Sequence, residues 1–216
     1  DGAGRYTAED IEVLEGLEAV RKRAGMYIGG TGSGGLTHLL WEIIDNGVDE
    51  AAAGHAKIVE VIFHPDGSYE VTDDGRGIPI EVKDGSITAL EVVFTELHAG
   101  GKFGNGAYGA SGGLHGVGAS VVNALSSRMV VEVDRKSATH CLAFKEQVAG
   151  QVGNSGRFVP GHSLRKTGKV PSGRTGTRVR FWPDKDIFDP DAEINYEEVR
   201  ERLGQICFLV PGLEIR

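Results

Sequence analysis

Apolar residues recur at helical spacing in several stretches of the sequence. The first covers 11–23, where apolar positions precede an Arg-Lys-Arg run that suits the last turn of a helix. After Gly34 and Gly35, residues 36–53 form the most regular helical pattern in the chain. Further helices are predicted at 86–97, 118–126 and 196–208.

Strand-like segments lie between these helices. Residues 57–64 and 68–73 flank Pro65-Asp66-Gly67, whose composition is typical of a turn, so the two segments form a predicted hairpin. Later strands are predicted at 128–135, 139–148 and 176–183, with a loop-rich insertion at 153–176 and a last apolar strand at the end. Helices with mostly antiparallel strands predict an α+β sandwich: a mixed sheet with helices on one face.

Length and composition fit one domain. At 216 residues with 40% hydrophobic content, the chain can bury a core, and we expect 1–216 to fold as a single domain. The first residue is Asp1 and the last is inside a strand-like segment, so we expect a piece of a longer protein. Two cysteines and no apolar run near the roughly 18 residues of a membrane span predict a soluble cytoplasmic protein.

Charge argues against nucleic-acid binding by this chain. The 23 basic and 31 acidic residues give a net charge of −8, the wrong sign for a surface that wraps a phosphate backbone. Arg165, Lys166 and Lys169 form a basic cluster, but no aromatic residues alternate with them. If DNA is a partner, we expect another part of the protein to hold it.

A helix over 36–53 would gather polar residues on one face. This face holds His38, Glu42, Asp45, Asn46 and Asp49. A solvated surface is the common explanation of such a pattern. However, its carboxylates have no cation three or four residues away and repel each other. Because Mg²⁺ binds carboxylate or amide oxygens together with phosphates, this face is also a candidate magnesium site.

Two glycine-containing segments complete the candidate chemistry. In Asp73-Asp74-Gly75-Arg76-Gly77-Ile78-Pro79, an inward Asp73 would need a donor such as an exocyclic amine, although an ordinary Asp-Gly turn is equally expected. Residues 100–118 include nine glycines and precede a helix, a composition that suits phosphate binding. Lys102 in this loop is a phosphate ligand or only a solvated lysine. The loop lacks the ending of a P-loop.

Together these segments resemble the motif set of the GHKL (Bergerat-fold) ATPases. The resemblance is closer still to the ATPase domains of type IIA topoisomerases, those of gyrase B and of its topoisomerase IV counterpart. It rests on stretches that occur in order from about Leu14 to Pro183: LEAVRKRAGMYIG, DNGVDEA, DDGRGIP, HAGGKF, SGGLHGVGASVVNALS and TGTRVRFWP. It implies a Bergerat sandwich that binds ATP and Mg²⁺. Ala24 departs from the family, which usually has proline at this position.

The resemblance also implies residue roles. Glu42 matches the general base that polarises the attacking water, and His38 matches the residue that orients it. Asn46 matches the Mg²⁺ ligand. The resemblance also implies a lid at 98–118 and an N-terminal arm at 1–10 that carries Tyr6. The implied ATP-binding residues are Asn46, Glu50, Asp73, Arg76, Gly77, Ile78, Pro79, Gly101, Lys102, Gly113, Leu114, His115, Gly116, Val117, Gly118, Thr177 and Tyr6.

Within this implied set, Asp73 accepts from the adenine amino group, with Thr177 helping through water. Arg76 either stacks over the base or pairs with Glu50. Arg76 and Arg135 match the rim that coumarin-type antibiotics contact. Tyr6 matches an arm residue that reaches into the nucleotide site of a second copy, although a disordered terminus is the favoured alternative in a fragment.

The family also implies partners for a full-length protein. These are DNA held by other domains, a DNA-cleaving partner (gyrase A or its topoisomerase IV counterpart), and a second copy joined through ATP-gated arms. No membrane is expected. The family's transducer domain, which supplies a lysine to the γ-phosphate, is not in this sequence. We therefore expect the fragment to be monomeric, to bind ATP and to hydrolyse it poorly.

The sequence alone leaves other functions of a GHKL module open. A GHKL module also occurs in Hsp90-like chaperones, mismatch-repair clamps and histidine kinases, and an inert nucleotide sensor is a further alternative. The HAGGKF and RKRAGMYIG stretches favour a topoisomerase. The sequence does not separate gyrase from topoisomerase IV.

Overall fold

The computed structural model describes residues 16–97, 118–153 and 155–216. The predicted arm at 1–10 with Tyr6, the start of the helix expected at 11–23, and most of the lid lie outside these residues. The lid positions concerned are Gly101, Lys102, Gly113, Leu114, His115, Gly116 and Val117.

One large sheet organises the described chain. Its strands are β1 (Ile58–Phe63), β2 (Tyr69–Asp73), β5 (Ser126–Arg135), β6 (Ala138–Lys145), β7 (Val148–Val152), β8 (Phe158–Pro160), β9 (Arg165–Lys169), β10 (Gly176–Pro183) and β11 (Glu214–Ile215). They follow the order β11-β1-β2-β10-β5-β6-β7-β8, with β9 also paired to β6. Strands β3 (Val82–Asp84) and β4 (Ile87–Thr88) form a separate small hairpin. Within the described residues, only β1 and β11 pair in parallel, so the predicted mixed, mostly antiparallel sheet is confirmed.

Helices cover one side of this sheet. They are α1 (Gly16–Lys22), α2 (Ala24–Ile28), α3 (Ser33–Ala52), α4 (Ala89–Thr95), α5 (Ala119–Ala124) and α6 (Tyr196–Leu209). The long helix α3 contributes the fully buried Leu39, Leu40 and Ile44 to the core, which includes Val131 and Phe181 of the sheet. Burial of this apolar stripe is the main force that holds α3 in place. The α+β class is therefore confirmed.

Some predicted boundaries were wrong. The helix expected at 86–97 begins only at Ala89, because Thr88 belongs to β4 and its hydroxyl accepts a hydrogen bond from Glu91 N. The strand expected at 139–148 is two strands joined at Glu146 and Gln147, which both have positive φ. The loop-rich insertion at 153–176 contains β8 and β9.

Among the described residues, none of the helices is long and apolar enough to cross a membrane. Cys141 and Cys207 are both free thiols.

The N-terminal turn of α3 generates a stability prediction. A Cβ placed on Gly35 would collide with the carbonyl of Gly30, whereas a Cβ on the adjacent Gly34 would meet nothing within 4 Å. We expect Gly35→Ala to destabilise the protein by about 1–3 kcal/mol through overpacking. The matched Gly34→Ala should be neutral or stabilise by up to about 1 kcal/mol, because alanine favours helix over glycine. Urea unfolding measures both, and equal effects of the two substitutions would contradict this packing.

Candidate functional site

The middle of α3 lies directly against the end of β2. Gly47 is buried, and a Cβ added to it would lie 3.4 Å from the Asp73 Cβ and 3.1 Å from Val59. The helix can approach the strand this closely because position 47 has no side chain. The polar face of α3 and the aspartate–glycine segment that starts at Asp73 are therefore neighbours.

Glu42 is the buried centre of the polar face of α3. Its side chain is 5% exposed, and both carboxylate oxygens have a partner. Oε1 lies 3.1 Å from His38 Nε2, and Gly118 N donates to Oε2 at 2.8 Å. Gly118 is the last residue of the predicted lid, and it precedes α5. All three sequence elements thus meet along α3.

The remaining polar residues of α3 differ in exposure. Asp45 is buried at 7% exposure, Asp49 is half-buried and Asn46 is exposed. The interpretation of this face as a solvated surface is therefore wrong for Glu42 and Asp45, since both side chains are buried in the protein. Asn46 instead is exposed, one helical turn from Glu42.

Asp73 is the inward member of its acid pair. Its Oδ1 accepts from Gly75 N at 2.9 Å, and its backbone is in register with Thr177 of β10. Burial raises the pKa of Asp73 to about 7, and the charge of nearby Glu50 acts in the same direction, while the Gly75 N–H opposes the rise. The site therefore holds a carboxyl group that a ligand's hydrogen-bond donor would stabilise in its ionised form.

Glu50 and Arg76 form a bidentate pair at the rim. Arg76 Nη2 donates to Glu50 Oε1 at 2.7 Å, and Arg76 Nε donates to Oε2 at 3.2 Å. The backbone N–H of Arg76 also donates to Oε2 at 3.0 Å. Of the two roles expected for Arg76, the structure has the pairing with Glu50. This pair joins the end of α3 to the glycine segment.

Two further contacts fix the segment 73–79. Ile78 N donates to Thr177 Oγ1 at 3.3 Å, and Arg135 Nη1 donates to the carbonyl of Gly77 at 3.0 Å. Gly77 has a φ of 73°, which favours glycine. Pro79 is exposed next to these residues. The structure thus gathers Asp73, Thr177 and the rim residues expected from the sequence.

Sequence reasoning missed the part played by Asp74. Its Oδ1 accepts from Lys57 N at 2.7 Å and from Ile58 N at 2.8 Å, so it ties the start of β1 to the segment after β2. The acid pair at a strand end was the available signal. The apolar stretch before the pair indicated that Asp73 turns inward, but nothing local indicated the partner of Asp74.

The donor set fits a magnesium ion that uses few protein ligands. Within 16–97, 118–153 and 155–216, no group of three or more His, Cys, Asp or Glu side chains forms a metal cluster. Mg²⁺ in phosphate-binding sites commonly takes one or two protein oxygens and completes its shell with water and phosphate. The exposed Asn46 amide near the α3 carboxylates matches that chemistry.

An α+β fold with a carboxylate-bearing helix packed on an aspartate–glycine segment is the arrangement that the sequence resemblance led us to expect of an ATPase domain. The chain belongs to the family described as histidine kinase-, DNA gyrase B-, and HSP90-like ATPase, whose model matches residues 31–187.

Similar proteins include the DNA gyrase B protein of Staphylococcus epidermidis, 48% identical over 211 residues, and that of Mycolicibacterium smegmatis, 49% identical over 210 residues. Each alignment covers 97% of this chain but only 31% and 29% of the relative, so the chain spans about a third of their length. The crystal structure of the 43K ATPase domain of Thermus thermophilus gyrase B with an aminocoumarin matches with a TM-score of 0.75 and 42% identity. That match covers 94% of this chain and 48% of the other.

The raised pKa of Asp73 predicts how stability depends on pH. The folded pKa of about 7 exceeds the ordinary value of 3.8, so this contribution to stability is complete below about pH 4 and is lost as pH rises to 7. Asp73→Asn removes this loss. Between pH 5 and pH 8, the free energy of unfolding of the variant should gain about 2.5 kcal/mol relative to wild type. Urea unfolding at both pH values measures it, with the exposed Asp191→Asn as the control. Parallel pH profiles for wild type and Asp73→Asn would contradict the assignment.

Proposed function

We propose that this chain binds and hydrolyses ATP as the ATPase domain of a type IIA DNA topoisomerase, gyrase B or its topoisomerase IV counterpart. The observation that carries the proposal is the meeting of Glu42, Asp73 and Gly118 along one helix. Asp73, the proposed base-binding group, lies against α3 at Gly47, and Glu42, the proposed water-activating carboxylate, lies on the same helix.

Asp73 anchors the adenine. A carboxylate oxygen of Asp73 accepts a hydrogen bond from the exocyclic amine, and Thr177 assists through a water molecule. Ionisation of Asp73 is costly without a donor because the carboxyl group is withdrawn from water, so a bound amine offsets that cost. Arg76, Gly77, Ile78 and Pro79 form the rim beside the base, and Glu50 holds Arg76.

Glu42 acts as the general base of hydrolysis. Its carboxylate polarises the water that attacks the γ-phosphate, and His38 orients that water. The contacts with His38 and Gly118 N hold both oxygens in place but leave further lone pairs for the water. Asn46 would hold Mg²⁺, which supplies positive charge against the phosphates when bound.

The lid and the arm complete this scheme on the resemblance alone. Gly101, Lys102 and the segment from Gly113 to Gly118 bind the phosphates. Tyr6 reaches the nucleotide of a second copy, so ATP closes a homodimer in the full-length protein.

The proposed parent protein supercoils, relaxes or decatenates DNA in the cytoplasm. Its DNA-binding domains lie elsewhere, and its DNA-cleaving partner is gyrase A or the topoisomerase IV counterpart of gyrase A. The gyrase B relatives, at up to 49% identity, favour this output over a chaperone or a repair clamp. Because the Thermus thermophilus domain was crystallised with an aminocoumarin, we also propose that Arg76 and Arg135 contact such antibiotics here.

The general-base role predicts a separation of binding from turnover. In the full-length protein, Glu42→Gln should lower kcat for ATP hydrolysis by about 100-fold or more, because the amide cannot take up a proton. Affinity for a non-hydrolysable ATP analogue should change by less than about threefold, a factor worth only about 0.7 kcal/mol.

A matched control is available for this measurement. Glu70 also contacts a histidine at 3.1 Å, through His64 Nε2, but lies on the sheet away from α3. Glu70→Gln should retain wild-type turnover. Wild-type ATPase activity in Glu42→Gln would exclude the general-base role.

A further inference from the structure

A cavity lies on the sheet away from the proposed nucleotide-binding residues. It has a volume of about 460 Å³ and lies where β5, β6, β7 and β8 meet. Three cationic side chains line it, Arg128, Lys145 and Arg157, together with Phe158 and Val152. We call this cavity the basic groove.

The cations of the basic groove have no carboxylate partner among the described residues. Within the described parts of the chain, no ion pair forms at Arg128, Lys145 or Arg157. Arginines elsewhere are paired, such as Arg178 with Glu132 and Arg180 with Asp66. The groove therefore keeps uncompensated positive charge at the surface.

Strand register forces two of these charges together. Arg128 of β5 and Lys145 of β6 are directly opposite partners, so their side chains leave the same face of the sheet. Like charges at such positions repel and destabilise the pair. An anion between them would relieve the repulsion.

Aromatic rings flank the cations. Trp182 of β10 is in register with Arg128, whose guanidinium lies 4.6 Å from the Trp182 ring centroid. On the other side, the Phe158 ring covers Gly150, since a Cβ there would collide with it. The Trp182 ring also carries the guanidinium of Arg180 at 4.6 Å, so the ring orders these arginines, and the positive charges of the groove suit the phosphates of a nucleic-acid backbone.

Positive charge is also concentrated in this part of the sequence. Between positions 128 and 169 there are eight Lys or Arg residues and three Asp or Glu residues, although the whole chain carries −8. The sequence argued against a nucleic-acid surface on its net charge and on the lack of aromatic residues among Arg165, Lys166 and Lys169. The basic groove consists of other cations, which are distant in sequence and which only the fold brings together.

We propose that the basic groove binds the sugar-phosphate backbone of double-stranded DNA. The inference rests on the proposed function, which places the chain in an enzyme that handles DNA. Contacts from three cations to phosphate carry no base specificity. They add a sequence-independent, salt-sensitive hold on DNA within the ATPase domain itself.

Fluorescence anisotropy tests the groove directly. The wild-type chain is titrated into a fluorescein-labelled duplex of about 20 base pairs, at a series of salt concentrations, with a saturating non-hydrolysable ATP analogue. Three phosphate contacts predict a slope of about −2.7 for log affinity against log salt. Arg128→Glu with Lys145→Glu and Arg157→Glu should weaken binding at low salt at least about tenfold and flatten the slope.

The control keeps the same change in net charge. Arg23→Glu with Lys185→Glu and Arg200→Glu alters three exposed positions outside the groove and should change affinity by less than about threefold. An equal loss in the control, or no binding by wild type at low salt, would overturn the proposal. Tighter binding of polyglutamate than of the duplex at equal charge would assign the groove to an acidic protein partner and would also overturn the proposal.

Two checks keep the outcome interpretable. If the triple charge reversal unfolds, the milder Arg128→Gln, Lys145→Gln, Arg157→Gln variant replaces it, with an expected loss of about threefold or more. Titration of the ATP analogue in the same samples reports on the nucleotide site. Retained nucleotide binding without DNA binding rejects the groove alone, whereas absent nucleotide binding in wild type rejects the proposed function.

Discussion

The close packing of α3 on the end of β2 is the constraint on which the site depends. Gly47 allows the helix to approach Asp73, and the buried stripe of Leu40 and Ile44 holds the helix against the sheet. Along α3, Glu42 and Glu50 are separated by about 12 Å of helix rise. The helix therefore spans the distance from the proposed adenine end of the site to the proposed hydrolytic end, and a shift of α3 would move both ends.

Electrostatic compensation shapes the same site. Glu50 is balanced by the bidentate Arg76, and Glu42 by the Gly118 N–H and His38. Burial raises the pKa of Asp73 to about 7, because no cation offsets the burial and the hydrogen bond from Gly75 N opposes it only in part. Of these three carboxyl groups, Asp73 is the one whose charge the fold compensates least. The amine of a bound purine would supply the missing partner.

Periodicity and turn chemistry predicted most of the architecture. The helix at 36–53, the hairpin around Pro65-Asp66-Gly67 and the strand at 176–183 follow from patterns within single segments. The start of α4 was missed because Thr88 both ends β4 and caps the helix, which competes with the apolar helical pattern. Strand β9 could not be predicted, since its partner β6 is chosen by register rather than by local sequence.

Motifs predicted the site residues, but not every contact between them. The resemblance left two roles open for Arg76, and only the packing of α3 on the glycine segment decides for the pair with Glu50. The anchoring of β1 by Asp74 likewise depends on contacts between distant segments.

The central claim is that Asp73 reads the base of a purine triphosphate. Calorimetric titration of wild type and Asp73→Asn with non-hydrolysable ATP and GTP analogues, with Mg²⁺, tests it most directly. We expect wild type to prefer the ATP analogue strongly, because guanine offers an oxygen where adenine offers the amine. In Asp73→Asn, affinity for the ATP analogue should fall at least about tenfold. The preference for the ATP over the GTP analogue should also become smaller, since the side-chain amide of the variant can donate a hydrogen bond to the guanine oxygen. An unchanged ATP affinity with unchanged discrimination against GTP would contradict the account.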